Sequence, residues 1–464
     1  MSTFDGVIRE FPQIRIDNFT RNGQPPLACF LSHVHSDHLR GLESFKSPFV
    51  YCSAATKELL LRLEKYPHRM NFAKGVLETR KQTYRHLKKL LRPIPLNTPT
   101  EVELSPGNTI RVTLYDANHC TGAVMFLIEG QDKAVLYTGD IRSEQWWIDL
   151  LARHPCLVPY AKGLKRLDNI YLDTTFASTA DPHKVFLPKA DGLSELLEKV
   201  AKYPDETVFY FNAWTFGYEE VWLALSHFLQ SKIHLDAYRY RLFRSLGESS
   251  TCEPGEIAPL VGFQLGNSHH AGCVTKSDLD LRIHSCERGT QCNVFSDSES
   301  LGLCFIFSSM TSFAVLTGRA ESVVNITPIV TRHAGVEYQE LGAGGGHGDL
   351  DQIHELELND ISAVGSLMEL CSKRLQDKPE LLQKILAWLG KSVKQGGRDV
   401  RIDTARFFET LYGEEGLEAL EDVPLDRLVN ALEALVQEQA QHDAPQPRHI
   451  VSSAQYCPSC GSSY

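Results

Sequence analysis

The heptapeptide Ser32-His33-Val34-His35-Ser36-Asp37-His38 decides the fold of this chain. It follows the apolar run of residues 28–31, which predicts a strand. Three imidazoles and a carboxylate within six residues supply the nitrogen and oxygen ligands that zinc prefers. A loop at a strand end allows such side chains to surround one ion. The pattern therefore predicts a zinc site and disfavours a chance group of surface histidines.

Two later segments complete this predicted site. His119 stands in Asp-Ala-Asn-His-Cys-Thr-Gly after an apolar run at residues 110–115, and Asp140 follows Tyr-Thr-Gly after a run at 134–138. Both runs predict strands, so consecutive strand ends deliver ligands to one edge of a sheet. Cys120, beside His119, is interpreted as a small packing residue and not as a nucleophile.

Bulk properties limit the class of protein. A chain of 464 residues with 42% hydrophobic content predicts two or three globular domains. We find no signal peptide and no apolar run long enough to span a bilayer, which predicts a soluble intracellular protein without a membrane partner. The 12 cysteines lack the spacing of a disulfide scaffold, so thiols or metal ligands are expected.

The net charge of −11 is unevenly distributed. Residues 74–92 carry seven lysines and arginines against one glutamate, whereas residues 409–438 are acidic. The basic run has two open interpretations: a solvated helix face, or a surface that contacts phosphates or directs the protein to the nucleus.

Periodicity predicts an α/β chain in several parts. Strands dominate the first 175 or so residues, with helices at 54–64 and 80–91. A second α/β part follows, with a helix at 193–202, a strand at 207–211 and a helix at 218–229. Residues 247–277 and the glycine-rich 342–348 predict loops. Helices alone are expected beyond residue 361, at 361–372, 379–391, 404–411 and 425–439.

The ligand pattern resembles the metallo-β-lactamase superfamily, whose H-x-H-x-D-H signature, later His and later Asp match these positions one by one. The resemblance implies that His33, His35 and His119 hold one zinc, that Asp37 and His38 hold a second, and that Asp140 bridges them. It also implies that Asp17 orients a ligand histidine, although an Asp after a short strand can simply cap a turn.

Further segments resemble the β-CASP nucleases of DNA repair, the Artemis and DNA cross-link repair nuclease family. These are residues 118–127, 170–176 with Asp173 at an acidic motif, and 216–221. The resemblance implies an αββα metallo-β-lactamase sandwich over residues 1–176 and an inserted β-CASP α/β domain over 177–360. A helical insertion over 361–445 and an atypical tail over 446–464 complete this prediction. The implied catalytic carboxylates are those of Asp37, Asp17 and Asp173.

The same family resemblance implies a structural zinc site in the second part. The matching positions are His234, His284, Cys286 and Cys292. Two imidazoles and two thiolates are the ligands of a closed tetrahedral site. The expected cofactor is therefore zinc, as one or two catalytic ions and one structural ion.

The chain departs from the family in one respect. The family has a later His-Ser-Ser-Tyr-like segment that completes the second metal site, and we find none. His449 looks like the approach to it, but the following tail does not match, so we expect a truncated C-terminus. His333, His347 and His354 lie in no matching context, and the Cys457–Cys460 pair is interpreted as incidental.

The expected function is that of a nuclear zinc-dependent DNA nuclease, a 5′-to-3′ exonuclease or structure-selective endonuclease. Its expected role is double-strand-break or interstrand cross-link repair, with DNA and end-joining or cross-link repair proteins as partners. Two alternatives stay open. One is an inactive truncated relative that binds DNA or protein, and the other is an RNA-processing β-CASP endonuclease. A small-molecule hydrolase is disfavoured because it lacks the inserted domain.

Overall fold

The computed structural model describes residues 4–20, 23–175, 186–211, 213, 215–248, 254–287, 292, 313–317, 319–333, 336–339, 349–350, 352–358, 361–394, 399–401, 405–412 and 422–442. The chain divides into two units. Unit 1 comprises residues 1–65 and 82–353, and unit 2 comprises residues 66–81 and 354–464. Sequence analysis did not predict that residues 66–81 would join the C-terminal part.

The described residues up to Thr175 form twelve strands and three α-helices. The strands are β1 Ile14–Ile16, β2 Ala28–Phe30, β3 Val50–Cys52, β4 Glu64–Asn71, β5 Val76–Thr79, β6 Gln82–Thr83, β7 Leu91–Pro93, β8 Thr100–Ser105, β9 Asn108–Asp116, β10 Val124–Gly130, β11 Lys133–Tyr137 and β12 Asn169–Tyr171. The α-helices are α1 Ala54–Leu60, α2 Gln145–Arg153 and α3 Val158–Ala161, and short 3-10 helices span Ser36–His38, Leu42–Ser44 and Tyr84–Lys89.

The later described residues contain the remaining elements. The strands are β13 Val208–Phe211, β14 Ile233–His234, β15 Gly262–Leu265, β16 Ser268–Ala271, β17 Val274–Thr275, β18 Ile283–His284, β19 Phe313–Thr317, β20 Arg319–Ile326, β21 Ile329–His333, β22 Val336–Gln339, β23 Ile353–Glu357, β24 Asp399–Arg401 and β25 Val423–Pro424. The helices are α4 Lys189–Val200, α5 Glu219–Leu229, α6 Ala237–Glu248, α7 Pro254–Val261, α8 Ile361–Arg374, α9 Pro379–Lys394, α10 Ala405–Tyr412 and α11 Leu425–His442.

Two sheets pack face to face in unit 1. The first has the order β1-β2-β3-β7 and is parallel throughout, and the second has the order β12-β11-β10-β9-β8. Alternate residues point to opposite faces of a strand. Phe30 of β2 accordingly shares a core with Val112 of β9 and Phe126 of β10, whereas its neighbour Cys29 joins a second core. The mixed α/β architecture expected from the sequence is present.

A third sheet in unit 1 has the order β17-β14-β18-β13-β20-β19. Its strands are parallel except for the pair β19 and β20. Phe209 and Phe211 of β13 and Trp222 of α5 are buried in the core that also contains Cys29. The chain from β13 onward thus shares a continuous hydrophobic core with the strands that carry the predicted ligands.

Unit 2 has its own sheet and core. The sheet has the order β24-β23-β4-β5-β25, and the core combines Leu77 of β5, Leu356 of β23, Phe407 of α10 and Leu428 of α11. The expectation of helices alone beyond residue 361 is therefore wrong. Strands β24 and β25 are only three and two residues long, so they carry too little periodicity to be seen in sequence.

Two further predictions of local structure are wrong. The helix expected at 80–91 is the 3-10 helix Tyr84–Lys89 between β6 and β7. Tyr84 and Leu87 are its buried residues, and their spacing of three fits the 3-10 repeat of three residues per turn. Within the loop expected at 247–277, α7 and the hairpin of β15 and β16 are formed. Residues 342–348 and 446–464 lie outside the described residues.

No helix in the described ranges combines the length and hydropathy needed to cross a bilayer.

Candidate metal centre and its supports

Four predicted ligands converge where the strands of the sandwich end. His33 and His35 follow β2, His119 follows β9, and Asp140 follows β11. One nitrogen or oxygen atom from each lies within 4.8 Å of the others. His35 Nδ1 is 3.1 Å from both His33 Nε2 and His119 Nε2. Asp140 Oδ2 is 3.8 Å from the Nε2 atoms of His33 and His119.

These separations fit a single ion. Tetrahedral zinc ligands at bond lengths of about 2.0 to 2.3 Å stand roughly 3.3 to 3.8 Å apart. The observed ligand-to-ligand distances are 3.1 Å, just below that range, and 3.8 Å, at its upper end. The donor set of three imidazoles and a carboxylate is also one that zinc accepts, so His33, His35, His119 and Asp140 fit the predicted ion.

Asp17 organises the histidines from behind. Its Oδ1 accepts a hydrogen bond from the Ser32 amide at 2.7 Å, and its Oδ2 accepts from Ser32 Oγ at 2.6 Å and Tyr137 OH at 2.9 Å. Ser32 Oγ lies 2.9 Å from His33 Nδ1, and Asp17 Oδ2 lies 3.0 Å from His38 Nδ1. Ser32 donates to Asp17, so it accepts from His33, and the proton of each ring sits on Nδ1. The Nε2 atoms of both rings then face the centre.

A second group of ligand atoms lies beside the first. His38 Nε2 is buried without a hydrogen-bond partner among the described residues. It stands 3.4 Å from Asp140 Oδ1 and 3.8 Å from Asp37 Oδ1. A buried ring nitrogen between two carboxylates needs a positive charge there, either from its own proton or from a metal cation. Asp140 presents its other oxygen to the first group, which is the geometry required of a bridging ligand.

The protonation states suit a cation. Burial and the neighbouring rings hold the pKa of His33 well below its usual value, and burial lowers the pKa of His119 to about 3. Burial raises the pKa of Asp140, but contact with His38 and the other histidines holds it well below its usual value. Neutral imidazoles and an ionised carboxylate at neutral pH are the forms that bind metal.

His35 contacts residues from a distant part of the chain. His35 Nε2 lies 3.2 Å from the Phe216 carbonyl oxygen and 4.0 Å from Asp349 Oδ2. Asp349 Oδ1 accepts a hydrogen bond from the Ser36 amide at 3.0 Å, and its Oδ2 accepts from Thr215 Oγ1 at 2.9 Å. A Cβ added at Gly217 would meet the His119 carbonyl oxygen at 2.9 Å, so glycine permits this approach.

Sequence analysis assigned no role at the centre to Asp349, Thr215 or Phe216. Asp349 directly follows the glycine-rich residues 342–348, and this position was the one feature of the sequence that could have indicated a functional residue. Lys189 was also missed. Its Nζ lies 3.3 Å from Asn118 Oδ1 and 3.4 Å from Glu220 Oε1, which places a cation beside the loop that carries His119.

Asp173 and Cys120 take supporting positions. Asp173 Oδ2 accepts a hydrogen bond from the Ile141 amide at 3.3 Å, and its Oδ1 accepts from the Thr175 amide and hydroxyl. It therefore holds the backbone next to Asp140. Burial raises the pKa of the Cys120 thiol far above its usual value, which suits a packed residue and not a nucleophile.

The four predicted structural ligands also meet. His234 and His284 are partners in the parallel pair β14 and β18, and their Nδ1 atoms are 3.2 Å apart. Cys292 Sγ lies 3.6 Å from His234 Nδ1 and 3.4 Å from His284 Nδ1. With Cys286 they form a fully buried group whose ligand atoms lie within 4.8 Å of one another. Tetrahedral zinc places such atoms about 3.3 to 3.8 Å apart, so the group fits a closed site.

The histidines considered as substitutes do not join the described centre. The imidazole of His354 contacts His68 and stacks on Tyr66. The side chain of His333 and all of His347 and His449 lie outside the described residues.

Comparisons with known proteins identify relatives. A family model described as anti-Pycsar protein Apyc1 matches residues 26–158, which include all six predicted catalytic ligands. Human Artemis is 34% identical over 267 residues, covering 53% of this chain and 35% of that protein. The chicken 5′ exonuclease Apollo is 32% identical over 197 residues, covering 42% of this chain and 35% of that protein. The chain thus spans about a third of the length of the curated relatives it matches.

The solved structures add little. A protein of unknown function from Enterococcus faecalis V583 superposes with a TM-score of 0.33 at 15% identity, covering 60% of this chain and 62% of that one. The relatives, and not this superposition, imply a metallo-β-lactamase fold.

Proposed function

We propose that this chain is a member of the family of Artemis and the 5′ exonuclease Apollo, and that it is a zinc-dependent nuclease that cleaves DNA phosphodiester bonds. The observation that carries the proposal is the meeting of His33, His35, His119 and Asp140 within 4.8 Å at the strand ends of the sandwich. The named relatives supply the substrate class. We propose a nuclear location and a role in double-strand-break or cross-link repair on the same ground.

The proposed ligand assignment follows the contacts. His33, His35 and His119 would hold one ion, Asp37 and His38 would hold a second, and Asp140 has an oxygen near each group. Zinc here supplies Lewis acidity towards a phosphodiester and water. Asp17 keeps the Nε2 atoms of His33 and His38 directed inward, and Asp173 holds the loop of Asp140. Lys189 provides a cation near the centre that suits an anionic substrate.

We further propose that residues 177–360 form a β-CASP domain and that His234, His284, Cys286 and Cys292 hold a structural zinc. The separations of 3.2 to 3.6 Å among three of these ligand atoms support that assignment. Burial of all four residues supports a closed site without an open coordination position.

The test compares nucleic acid cleavage with zinc content in the purified full chain. The substrates are a labelled 5′-phosphorylated DNA strand and an RNA strand of the same sequence. The variants are Asp37→Ala and, as matched control, Asp205→Ala, whose side chain is fully exposed. We expect DNA cleavage that falls at least about 100-fold in Asp37→Ala and is unchanged in Asp205→Ala.

Two other outcomes of this cleavage test would contradict the proposal. Bound zinc with cleavage of neither polymer would establish an inactive relative. Cleavage of RNA alone would establish an RNA-processing enzyme. Either result contradicts the proposed DNA nuclease.

A further inference from the structure

Six of the seven cations in the basic run of residues 74–92 fall into two groups in the structure. Lys74 and Arg80, in unit 2, pair with Glu78 at 3.2 and 3.8 Å. Four other cations, in unit 1, are exposed: Arg85, Lys88, Lys89 and Arg92. Within the described part of the chain, no carboxylate lies within 4.0 Å of any of these four. We name these four residues the cationic ridge.

The local fold forces these cations outward. Side chains three residues apart share a face of a 3-10 helix. Tyr84 and Leu87 form the inward face and are 2% and 0% exposed. The spacing therefore leaves Arg85 and Lys88 together on a second face, and Lys89 on a third.

The edge of the first sheet extends the ridge. Arg92 lies on β7, the edge strand beside β3, and its guanidinium carbon is 4.5 Å from the centroid of the Phe49 ring. Phe49 is itself 43% exposed. An arginine held over an exposed aromatic ring keeps its charge in a fixed place and offers a flat apolar surface beside it.

The ridge lies apart from the metal centre. The 3-10 helix leads into the N-terminal end of β7, whereas His33 and His35 follow the C-terminal end of β2, and all strands of this sheet are parallel. The 3-10 helix with Arg85, Lys88 and Lys89 therefore lies at the end of the sheet opposite to His33 and His35, and the three-residue strands alone separate it from them by about 10 Å, at roughly 3.3 Å per residue. Arg92, on β7 itself, is level with Phe30 at the end of β2, two strands away.

We propose that the cationic ridge contacts the phosphate backbone of duplex DNA outside the metal centre. The inference rests on the proposed function for its choice of DNA. Its physical basis is the concentration of unpaired cations on a chain of net charge −11, because such a chain needs a local positive surface to hold a polyanion. A separation of at least about 10 Å corresponds to three or more nucleotides at roughly 3.4 Å each. Contacts with the ridge should therefore assist long substrates and not short ones.

The test measures binding of the zinc-loaded full chain to a 20-base-pair duplex with hydrolysis-resistant phosphorothioate linkages. Fluorescence anisotropy follows affinity between about 50 and 200 mM salt. The ridge variant is Arg85→Gln/Lys88→Gln/Lys89→Gln. The matched control is Lys133→Gln/Arg153→Gln/Lys162→Gln, three exposed cations of unit 1 that likewise have no ion pair with a described residue.

We expect the ridge variant to bind at least about 10-fold more weakly at 100 mM salt, with the slope of log K against log[salt] reduced by about 2 to 3. The control should keep both values. Equal affinity and slope in the ridge variant would overturn the proposal, as would failure of the wild type to bind duplex DNA. Ridge-dependent binding to phosphatidylserine vesicles without binding to DNA would overturn it too.

Hydrolysis of bis(p-nitrophenyl) phosphate separates this proposal from the proposed function. That small diester reaches the metal centre and is too short to reach the ridge, so wild type and ridge variant should hydrolyse it equally. Ridge-dependent DNA binding with no hydrolysis in any variant would contradict the nuclease alone. Hydrolysis with ridge-independent DNA binding would contradict the ridge alone.

Discussion

Asp17 Oδ2 lies 3.0 Å from His38 Nδ1, and the same oxygen accepts hydrogen bonds from the hydroxyls of Ser32 and Tyr137. Burial lowers the pKa of His38, but the carboxylates of Asp17 and Asp140 outweigh it and raise that pKa well above its usual value. One carboxylate outside the ligand set thereby fixes the orientation of two histidines, His38 directly and His33 through Ser32.

Replacement of Asp17 by Asn should weaken zinc binding about 10- to 100-fold, as loss of a ligand's hydrogen-bond partner usually does. The amide places a donor or a weak acceptor where three donors converge. Asn tolerates the left-handed backbone at this position, where φ is 55°, so the fold should persist. Competition with a fluorescent chelator measures the affinity, with Asp205→Asn as the control. Wild-type affinity in Asp17→Asn would refute the orienting role.

Replacement of Asp349 by Ala should destabilise the ligand loop. The Ser36 amide and the Thr215 hydroxyl both lose an acceptor, at about 1 to 3 kcal/mol for each group left unsatisfied. We expect a lower free energy of unfolding in urea and weaker zinc binding. Thr215→Val, which removes one of the two donors, should show a smaller effect. An Asp349→Ala protein with unchanged zinc affinity would mean that the aspartate has no influence on the centre.

Replacement of Cys292 by Ser should remove one zinc per chain and lower the melting temperature. The hydrogen bond with Cys292, together with burial, raises the pKa of the Cys286 thiol far above its usual value, so a cation is needed to deprotonate this thiol. Zinc analysis and thermal unfolding measure the two effects. Cys273→Ser, outside the group, is the matched control. Equal zinc content in the two variants would contradict the structural site.

Unit 2 contains two neutral buried histidines that should make its stability depend on pH. His68 Nε2 lies 3.3 Å from His354 Nδ1, and His68 Nδ1 lies 2.9 Å from Thr79 Oγ1. Burial lowers the pKa of His68 to about 4 and that of His354 to about 3. The folded pKa values lie below the unfolded value of about 6.5. Both contributions are therefore fully present above pH 6.5 and are lost as pH falls from there towards pH 4 and 3.

The expected loss is on the order of 2 kcal/mol per histidine at pH 4.5. Urea unfolding at pH 7.5 and 4.5 measures it, and the comparison of wild type with His354→Gln isolates the contribution of this histidine from those of the metal centre. The variant should lose less stability between the two pH values. Equal losses in both proteins would show that His354 does not titrate on unfolding.

The sequence determined which residues could bind metal. Spacing alone pointed to His33, His35 and His38, because side chains within one short loop stay close together whatever the rest of the fold does. The strands that precede the ligands were also predictable, since β2, β9 and β11 contain runs of buried apolar residues. The helices α8, α9 and α11 were found because each has several turns of apolar periodicity.

The tertiary structure decided which distant residues support those ligands. Asp349 and Thr215 lie far from Ser36 in sequence, and Ser32 and Tyr137 reach Asp17 from two different sheets. Pairings of this kind leave no local pattern, because a hydrogen bond depends on where two backbones meet and not on the spacing of residue types. The short strands β24 and β25 of unit 2 were not predicted from the sequence for the same reason. A three-residue strand is stabilised by its neighbours in the sheet, so its own sequence does not specify it.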